Sequence, residues 1–455
     1  MEKNQRGNFS SKIGVILATA GSAVGLGNIW RFPFMTGENG GAAFVLIYFV
    51  CVLLLGIPGM VNEFIIGRHS AANAVRAYEN ISKGNKLFGA LGYLGAITSM
   101  IILGFYSVVA GWCLQYLYAS IVGELNGDAH YVQNYFADFS QSAAMPILWA
   151  IVFILITHLV VMKGVKDGIE RVSKILMPIL FALLIIVAIA ACSLPGAYKG
   201  VEFLFKPDFS KVSSSVFLEA LGQAFFSLSM GTACLCTYAS YFNKKTNLVK
   251  SATQIALLDS LIAILAGLMI FPAAFAVGVK PDSGPALIFI TLPSVFQEAF
   301  SSMPTVGYII SILFYLLLVL AALTSTISMH EIGTSVFHEE LKLSRKKGAW
   351  IETIVCCVIA ILCALSCGAV PGLQLFDMPF LDFCDFITAK FFMPAAAFLT
   401  CVMLGWYVPQ KIVKNEFTND GTLKGKIYPI YLFLIRFVVP ICILAIFLHE
   451  LDWIG

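Results

Sequence analysis

Charged side chains are scarce in this chain of 455 residues. Asp, Glu, Lys and Arg together make up 12% of it, whereas 59% of the residues are hydrophobic. A soluble domain carries about 25% charged residues. The composition therefore excludes a soluble protein and predicts a polytopic protein of the lipid bilayer, in the cell membrane. No nucleic-acid partner is expected.

Metal-binding and targeting motifs are also missing. The twelve cysteines lie mostly in apolar runs and form no CxxC pair, so they are interpreted as buried free thiols. His330 and Glu331 begin an HExxH-like pattern, but Thr334 stands where the second histidine would be needed. The short polar start has no cleavable signal region. An intramembrane metalloprotease is therefore excluded, and the chain is predicted not to be an enzyme.

What the chain does contain is a series of apolar runs, each long enough to cross a bilayer at about 20 residues per helix. Eleven such runs predict an all-α protein with eleven transmembrane helices, near 14–36, 42–66, 89–122, 146–163, 170–192, 216–241, 251–279, 304–337, 350–367, 381–408 and 428–449. The segment 123–145 has no Lys or Arg and is interpreted as an external loop.

The Lys and Arg residues fall almost entirely in alternate connections. The N-terminal arm and every second loop hold 22 of them, and the opposite set of loops holds 4. Because cytoplasmic loops carry an excess of Lys and Arg, this distribution predicts a cytoplasmic N-terminus and an extracellular C-terminus.

The first span cannot be a plain helix in lipid. Gly21, Gly25 and Gly27 lie at its centre, and Asn28 and Arg31 follow. Lipid offers no hydrogen bonds, so broken backbone at that depth survives only where it lines protein or a watery cavity. The segment therefore predicts an interrupted helix that binds a ligand.

The sixth span has the same feature, because Ser227, Ser229, Gly231 and Thr232 cluster at its middle. For either span alone, a GxxxG packing face or back-bonded serines is an alternative. Interrupted spans five apart, however, predict two inverted halves around a transporter site. The predicted units are an N-terminal arm (1–13), a first five-helix repeat (14–192), an extracellular loop (193–215), a second repeat (216–408), and a linker with the eleventh helix (409–455).

Long motifs extend along nearly the whole chain, among them AGSAVGLGNIWRFPF (20–34), NEFIIGR (62–68), GIERVSKILMP (168–178), FFSLSMG (225–231) and LTSTIS (323–328). With them the chain resembles the neurotransmitter:sodium symporter family, and specifically its prokaryotic amino-acid transporters. The resemblance implies a 5+5 inverted repeat with broken helices 1 and 6. It also implies Na⁺-coupled symport by alternating access, with two Na⁺ ions and no organic cofactor.

Na⁺ is a hard cation that prefers oxygen ligands, and the resemblance implies two sites. The first uses Ala23, Asn28, Ser227 and Asp259, and the second uses Gly21, Val24, Ala321, Thr324 and Ser325. Many relatives carry Asn where this chain has Asp259. Chloride-dependent relatives bind chloride close by, and a carboxylate supplies that negative charge itself. Chloride independence is therefore predicted, with a helix-end carboxylate of no special role as the alternative.

The resemblance also implies an amino-acid pocket. Its residues are Ser22, Ala23, Leu26, Gly27, Ile102, Tyr106, Phe226, Ser227, Ser229, Thr232, Ser325 and Met329. Helix N-termini and free amides at the breaks favour a carboxylate, while broken-helix carbonyls accept hydrogen bonds from an ammonium. Thr232 replaces a Phe of the family's leucine transporter, and Met329 is deformable. A hydrophobic or aromatic L-amino acid is therefore favoured.

Charges inside spans are costly and usually have a partner and a role. By resemblance, Arg31 and Asp385 form an outer gate, and Arg6 with Glu339 forms an inner one. Phe9 stands where the family usually has Trp. Glu63 matches a carboxylate that holds free amides of the broken helices. Gly168 and Pro178 are expected to allow local unwinding at the start of the fifth span.

The function predicted from these residues is secondary active import of an L-amino acid. A monomer is expected to suffice, although a dimer is not excluded. Two other functions on the same fold stay open: an ion-conducting channel and a membrane amino-acid sensor. A channel usually has a repeated filter and oligomeric symmetry, and flux measurements distinguish a sensor from a transporter.

Overall fold

The computed structural model describes residues 7–125, 129–278, 287–451 and 453, apart from the side chains of residues 129, 211 and 450. Within these ranges the chain is almost entirely helical, and a two-stranded hairpin, β1 (Gln374–Leu375) and β2 (Met378–Pro379), pairs antiparallel. The predicted all-α class is confirmed. The eleven predicted spans all coincide with helices in the described part of the chain.

The helices are numbered in chain order. They are α1 (Lys12–Ala23), α2 (Gly27–Glu38), α3 (Ala42–Ser70), α4 (Ala74–Ile81), α5 (Lys86–Val122), α6 (Ala129–Gln141), α7 (Met145–Val161), α8 (Val165–Cys192), α9 (Tyr198–Phe205), α10 (Ser214–Ser227), α11 (Cys234–Ala239), α12 (Leu248–Ala276), α13 (Leu287–Ala299), α14 (Pro304–Glu340), α15 (Arg345–Ser366), α16 (Phe380–Tyr407), α17 (Gln410–Thr418) and α18 (Tyr428–Glu450).

By length and apolar composition, eight helices of the described ranges can each cross a membrane, or ten if each of two bent pairs counts as one span. α1 and α2 are one such pair, bent by 57°. The second break separates α10 from the short α11. The other bent pair is α6 with α7, bent by 75°. The broken segment α10–α11 is counted in neither total, and with the ten it gives eleven.

α5 and α14 form the centre of the molecule. Each has 37 residues, which gives a length of about 55 Å at 1.5 Å per residue. They pack along one another, and α1 packs against α8, α12 and α14. The first broken segment is thus enclosed by long helices, and this arrangement provides the protein lining that interrupted backbone requires in a bilayer.

Apolar side chains remain exposed on the outer helices. Leu53 on α3, Ile186 on α8 and Ile441 on α18 are 56%, 48% and 66% exposed. A soluble protein rarely exposes such continuous apolar surface. Facing lipid, these side chains are in their preferred environment.

Several connections that were interpreted as loops contain helices. The segment 123–145 contains α6, the segment 193–215 contains α9, and α4 and α17 lie in polar connections. These short helices have no span-length apolar run. Just before α4, the side chain of Asn73 caps the first turn by accepting a hydrogen bond from Arg76 N at 3.2 Å.

The segment from Gly168 to Pro178 is helical in this conformation. Val165–Glu170 forms a π-helical turn, which contains Gly168, and the α-helix continues through Pro178 to Cys192. π-helical turns are rare in proteins in general and often lie at functional positions. Unwinding at this point stays a prediction for another state of the protein.

Candidate functional site

Four polar side chains meet where the first broken segment faces α10 and α12. The amide nitrogen of Asn28 donates to Asp259 Oδ1 at 2.7 Å and to Ser227 Oγ at 3.1 Å. Ser227 Oγ and Tyr48 OH donate to Asp259 Oδ2 at 2.8 and 3.2 Å. All four side chains are buried. The structure thus brings together three of the residues predicted for the first Na⁺ site, and it adds Tyr48.

A second cluster of oxygens lies where α1 ends against α14. Val24 has extended backbone angles, so its carbonyl leaves the helix. That carbonyl accepts from Thr324 Oγ1 at 3.3 Å and from Ser325 Oγ at 3.0 Å. Thr324 Oγ1 also donates to the Ala321 carbonyl at 2.9 Å, and a Cβ added to Gly21 would lie 3.3 Å from Thr324 Cβ. The five residues predicted for the second Na⁺ site are therefore neighbours.

Oxygen atoms predominate in both clusters, and one carboxylate belongs to the first. This donor set suits a hard monovalent cation. A neutral set of carbonyls and hydroxyls could not offset a divalent charge in so dry a place. The chemistry of both clusters therefore fits Na⁺.

The second break holds strained backbone. Ser229 and Ala233 have φ of 51° and 60°, in the left-handed region, and Gly231 has φ of 84°. For residues other than glycine this conformation costs about 1–2 kcal/mol. Such strain persists where the surroundings enforce it, and it clusters at functional sites. A Cβ at Gly231 would also lie 2.3 Å from the Met393 carbonyl, so glycine is required there.

Glu63 on α3 holds this break in place. Its Oε1 accepts from Gly231 N at 2.8 Å and its Oε2 from Cys236 N at 3.2 Å, and the side chain is buried. These amides lack helical partners because the helix is interrupted. The contacts match the role that the resemblance implied for Glu63.

A small cavity lies between the two breaks, with about 60 Å³ that a water molecule can enter. Eleven of the twelve residues predicted for the substrate pocket line it, all except Leu26. The backbone N–H of Leu26 instead donates to Tyr106 OH at 3.0 Å. Sequence reasoning missed six further lining residues: Gly25, Ser99, Phe105, Cys234, Ser328 and Met393.

Gly25 allows the close approach of three elements around this cavity. A Cβ at position 25 would lie 2.5 Å from Ser325 Oγ and 2.9 Å from Tyr106 OH. The backbone N–H of Gly25 donates to Asn28 Oδ1 at 3.0 Å. The run of glycines in the first span was the signal for this position, although it did not identify the partners.

One end of the cavity is covered by an aromatic ring with a cation above it. The guanidinium carbon of Arg31 lies 4.4 Å from the centroid of the Phe226 ring. A cation over an aromatic face is attracted by about 0.5–2 kcal/mol. Phe226 also lines the cavity, so the contact connects the predicted outer gate to the site. The pairing of Arg31 with Asp385 stays a prediction.

The N-terminal arm packs against the end of the second broken segment. Phe9 is 8% exposed and packs edge-on against Tyr238 and Tyr241, with ring centroids 5.9 and 6.0 Å apart. Glu339 accepts from the backbone and side-chain nitrogens of Asn73 at 2.9 and 3.1 Å. Arg6, its predicted partner, lies outside the described residues.

A carboxylate that sequence reasoning missed fastens the same arm. Glu170, 1% exposed, accepts from Ser10 N and Ser10 Oγ, each at 2.7 Å, and from Ser11 Oγ at 3.1 Å. Lys174 Nζ donates to it at 2.6 Å. The available signal was an acidic residue at the start of an apolar span. The arm is thereby joined to the π-helical turn of α8.

Comparison with known proteins shows the family of the chain. A sequence model of the sodium:neurotransmitter symporter family matches residues 6–145 and 130–453. The chain belongs to the sodium:neurotransmitter symporter family. It is 39% identical over 456 residues to an uncharacterized sodium-dependent transporter, YhdH, of Bacillus subtilis, which covers 99% of this chain and 98% of that protein.

Two other similarities extend over almost all of this symporter-family chain. An uncharacterized sodium-dependent transporter of Haemophilus influenzae is 34% identical over 98% of both chains. The crystal structure of MhsT in complex with L-phenylalanine superposes with a TM-score of 0.88 at 39% identity, over 98% of this chain and 100% of that one. The predicted family and its fold are thus confirmed.

Family membership establishes the general activity. The protein is a multi-pass membrane protein and a secondary transporter that uses Na⁺, and it is not an enzyme. Its substrate is a small molecule.

Proposed function

We propose that this protein imports an L-amino acid together with two Na⁺ ions and without chloride. The observation that carries the proposal is the convergence of both helix breaks on one enclosed cavity. Two clusters of oxygen ligands adjoin the first broken segment. In one, Asn28 contacts Asp259 and Ser227. In the other, the Val24 carbonyl contacts Thr324 and Ser325 of α14. One cavity beside two clusters of candidate Na⁺ ligands is the arrangement that coupled transport requires.

An amino-acid zwitterion fits the chemistry of the cavity. Backbone amides exposed at the breaks and the Tyr106 hydroxyl donate to a carboxylate, and carbonyls beside Ala23 and Phe226 accept from an ammonium. The remaining wall is formed by Ile102 and Met329 together with other apolar side chains. A hydrophobic or aromatic side chain is therefore preferred, as L-phenylalanine bound to MhsT also suggests.

Asp259 provides the reason for expecting chloride independence. The side chain is 0% exposed and accepts hydrogen bonds from Asn28, Ser227 and Tyr48. Its charge therefore lies within the Asn28–Asp259–Ser227 cluster, where it would offset the positive charge of a bound Na⁺. An external anion is then not required.

The direction of transport follows from the Lys and Arg distribution, which we take to define the N-terminal face as cytoplasmic. The Phe9 and Glu170 contacts then close the cytoplasmic side. Na⁺ and substrate share one enclosed site, so each strengthens the binding of the other by the same factor. Release of the arm on the cytoplasmic side would open the site inward.

Uptake into proteoliposomes tests this function. Purified protein is reconstituted, an inward Na⁺ gradient is imposed, and accumulation of a panel of labelled L-amino acids is measured in chloride and in gluconate. We expect concentrative, saturable uptake of hydrophobic or aromatic amino acids that requires Na⁺ and is equal in both media. Binding without accumulation would favour a sensor, and Na⁺ current without amino-acid uptake would favour a channel.

A further inference from the structure

A second cavity lies outside the transport site, on the face that carries the N-terminal arm. It has about 340 Å³ of space and lies between residues 9–15, where the arm passes into α1, and residues 243–251, where the chain enters α12. Nothing in the transport mechanism proposed above uses it. Its wall nevertheless joins the element that closes the site to a helix that carries a predicted Na⁺ ligand.

The charge of this cavity is of one sign. Among the described residues, Lys12, Lys245 and Lys250 line it, and no Asp or Glu does. All three lysines are exposed. Within the described residues, no hydrogen bond or ion pair engages any of their ammonium groups, whereas the neighbouring Lys244 donates to Glu416 at 3.0 Å. The three ammonium groups therefore concentrate positive charge around an open space.

The nearest buried carboxylate does not offset this charge. Glu170 contacts Ser10 and Ser11 of the cavity wall, but Lys174 donates to its Oε1 at 2.6 Å. Glu170 is 1% exposed, so it has little access to the cavity. Its negative charge is already satisfied by the arm and by α8.

The ends of two helices add to the positive potential. α1 begins at Lys12, and α12 begins at Leu248 with Asn247 as its cap. Each N-terminus carries about half a positive charge. Polar side chains of Asn243, Thr246 and Ser251 also line the cavity. Lysines combined with hydroxyl and amide groups are the set that binds phosphate oxygens.

We propose that this cavity binds a phosphate-bearing anion, which connects Lys12 on the arm to Lys245 before α12 and to Lys250 in its first turn. Such an anion would hold the arm against the segment 243–251 and so stabilise the conformation in which this face is closed. Two sources share the chemistry: the headgroup of an anionic phospholipid and free inorganic phosphate. If this face is cytoplasmic, as in the function proposed above, the anion would slow opening of the site inward.

Binding can be measured without Na⁺ or amino acid, so its failure is distinguishable from failure of the proposed function. The full-length protein is titrated in nanodiscs with phosphatidylglycerol in a phosphatidylcholine background, and in detergent with inorganic phosphate. The readouts are the thermal unfolding midpoint and the hydrogen exchange of residues 9–15. We expect either anion to raise the midpoint and slow the exchange. If only the lipid produces these changes, the ligand is a lipid headgroup. If inorganic phosphate produces them at equal affinity, the ligand is a free ion.

Single variants K12Q, K245Q and K250Q test the geometry. Each lysine near an anionic surface strengthens binding about fivefold, so each substitution should weaken anion affinity by about that factor. K347Q is the matched control, because Lys347 is an exposed lysine in the first turn of α15 that does not line the cavity. The proposal is overturned if the three variants bind as the wild type does, or if the control loses as much affinity as they do.

Discussion

Replacing Asp259 by Asn removes one negative charge from the Asn28–Asp259–Ser227 cluster and keeps the size of the side chain. In the wild type the carboxylate accepts from Asn28 at 2.7 Å, Ser227 at 2.8 Å and Tyr48 at 3.2 Å. An amide keeps one oxygen acceptor and places an NH₂ group where the other oxygen was. Transport by D259N should therefore become dependent on chloride.

The magnitude follows from the burial of the site. Two opposite unit charges about 4 Å apart attract by about 4 kcal/mol at an effective dielectric constant of 20. Loss of that attraction corresponds to roughly a hundredfold to a thousandfold weaker Na⁺ binding in gluconate. Chloride bound nearby would restore most of this loss, because it returns one negative charge to the site.

The assay is Na⁺ titration of amino-acid uptake into proteoliposomes, in chloride and in gluconate. The matched control is E352Q, because Glu352 is also a 0% exposed carboxylate but does not line the cavity; it should stay chloride-independent. An unchanged thermal midpoint would exclude misfolding of D259N. If D259N transports equally well in both media, or if wild-type uptake is lost in gluconate, the reasoning about Asp259 is refuted.

Three further predictions concern the second break, the side-chain pocket and the face of the arm. E63A should lower the unfolding free energy by about 2–5 kcal/mol in a denaturant titration, because the Gly231 and Cys236 amides lose their buried acceptor. E63Q should lower the unfolding free energy by less. Equal stability of the wild type, E63A and E63Q would contradict the role of Glu63. T232F should weaken the binding of aromatic amino acids at least tenfold more than the binding of the amino acid alanine, since Thr232 lines a small cavity. A competition assay measures the ratio of the two affinities. If T232F leaves that ratio unchanged, the side chain of the ligand binds elsewhere. Burial alone would raise the pKa of Glu416, but His69, Arg68 and Lys244 lower it from 4.5 to about 2. The ionised Glu416 side chain therefore contributes stability above pH 4.5, and this contribution is lost as the pH falls toward 2. Over that pH range the thermal midpoint of the wild type should fall more steeply than that of E416Q. Parallel curves of thermal midpoint against pH for the two proteins would contradict this prediction.

The elements that can be predicted best from the sequence are the membrane-spanning helices, because lipid is a uniform environment. Apolar runs have only one stable form in lipid, a helix with all its backbone bonds satisfied. The glycines of the first span and the serines of the sixth violate that rule, so both breaks were predictable. Long specific motifs then pointed to Glu63, which contacts amides of the second break, and to Asp259, whose role in Na⁺ binding stays a prediction.

What the sequence did not reveal depends on contacts between distant segments. Met393 lines the cavity from α16, and Tyr48 donates to Asp259 from α3, although neither has a local signal. Glu170 looked like an ordinary acidic residue at the start of a span, because its partners Ser10 and Ser11 are about 160 residues away. The short helices α6 and α9 are not apolar enough to predict from hydropathy.

Simultaneous measurement of ²²Na⁺ and labelled amino-acid flux in the same proteoliposomes tests the central claim most directly. The two cation clusters beside one cavity predict that both fluxes saturate together, with two Na⁺ ions entering per amino acid and the ratio unchanged in gluconate. A variant with the cavity blocked, G25A, should lose both fluxes together, because its Cβ would lie 2.5 Å from Ser325 Oγ. Amino-acid uptake that is not accompanied by Na⁺, or Na⁺ flux that persists without amino acid, would contradict the coupled site.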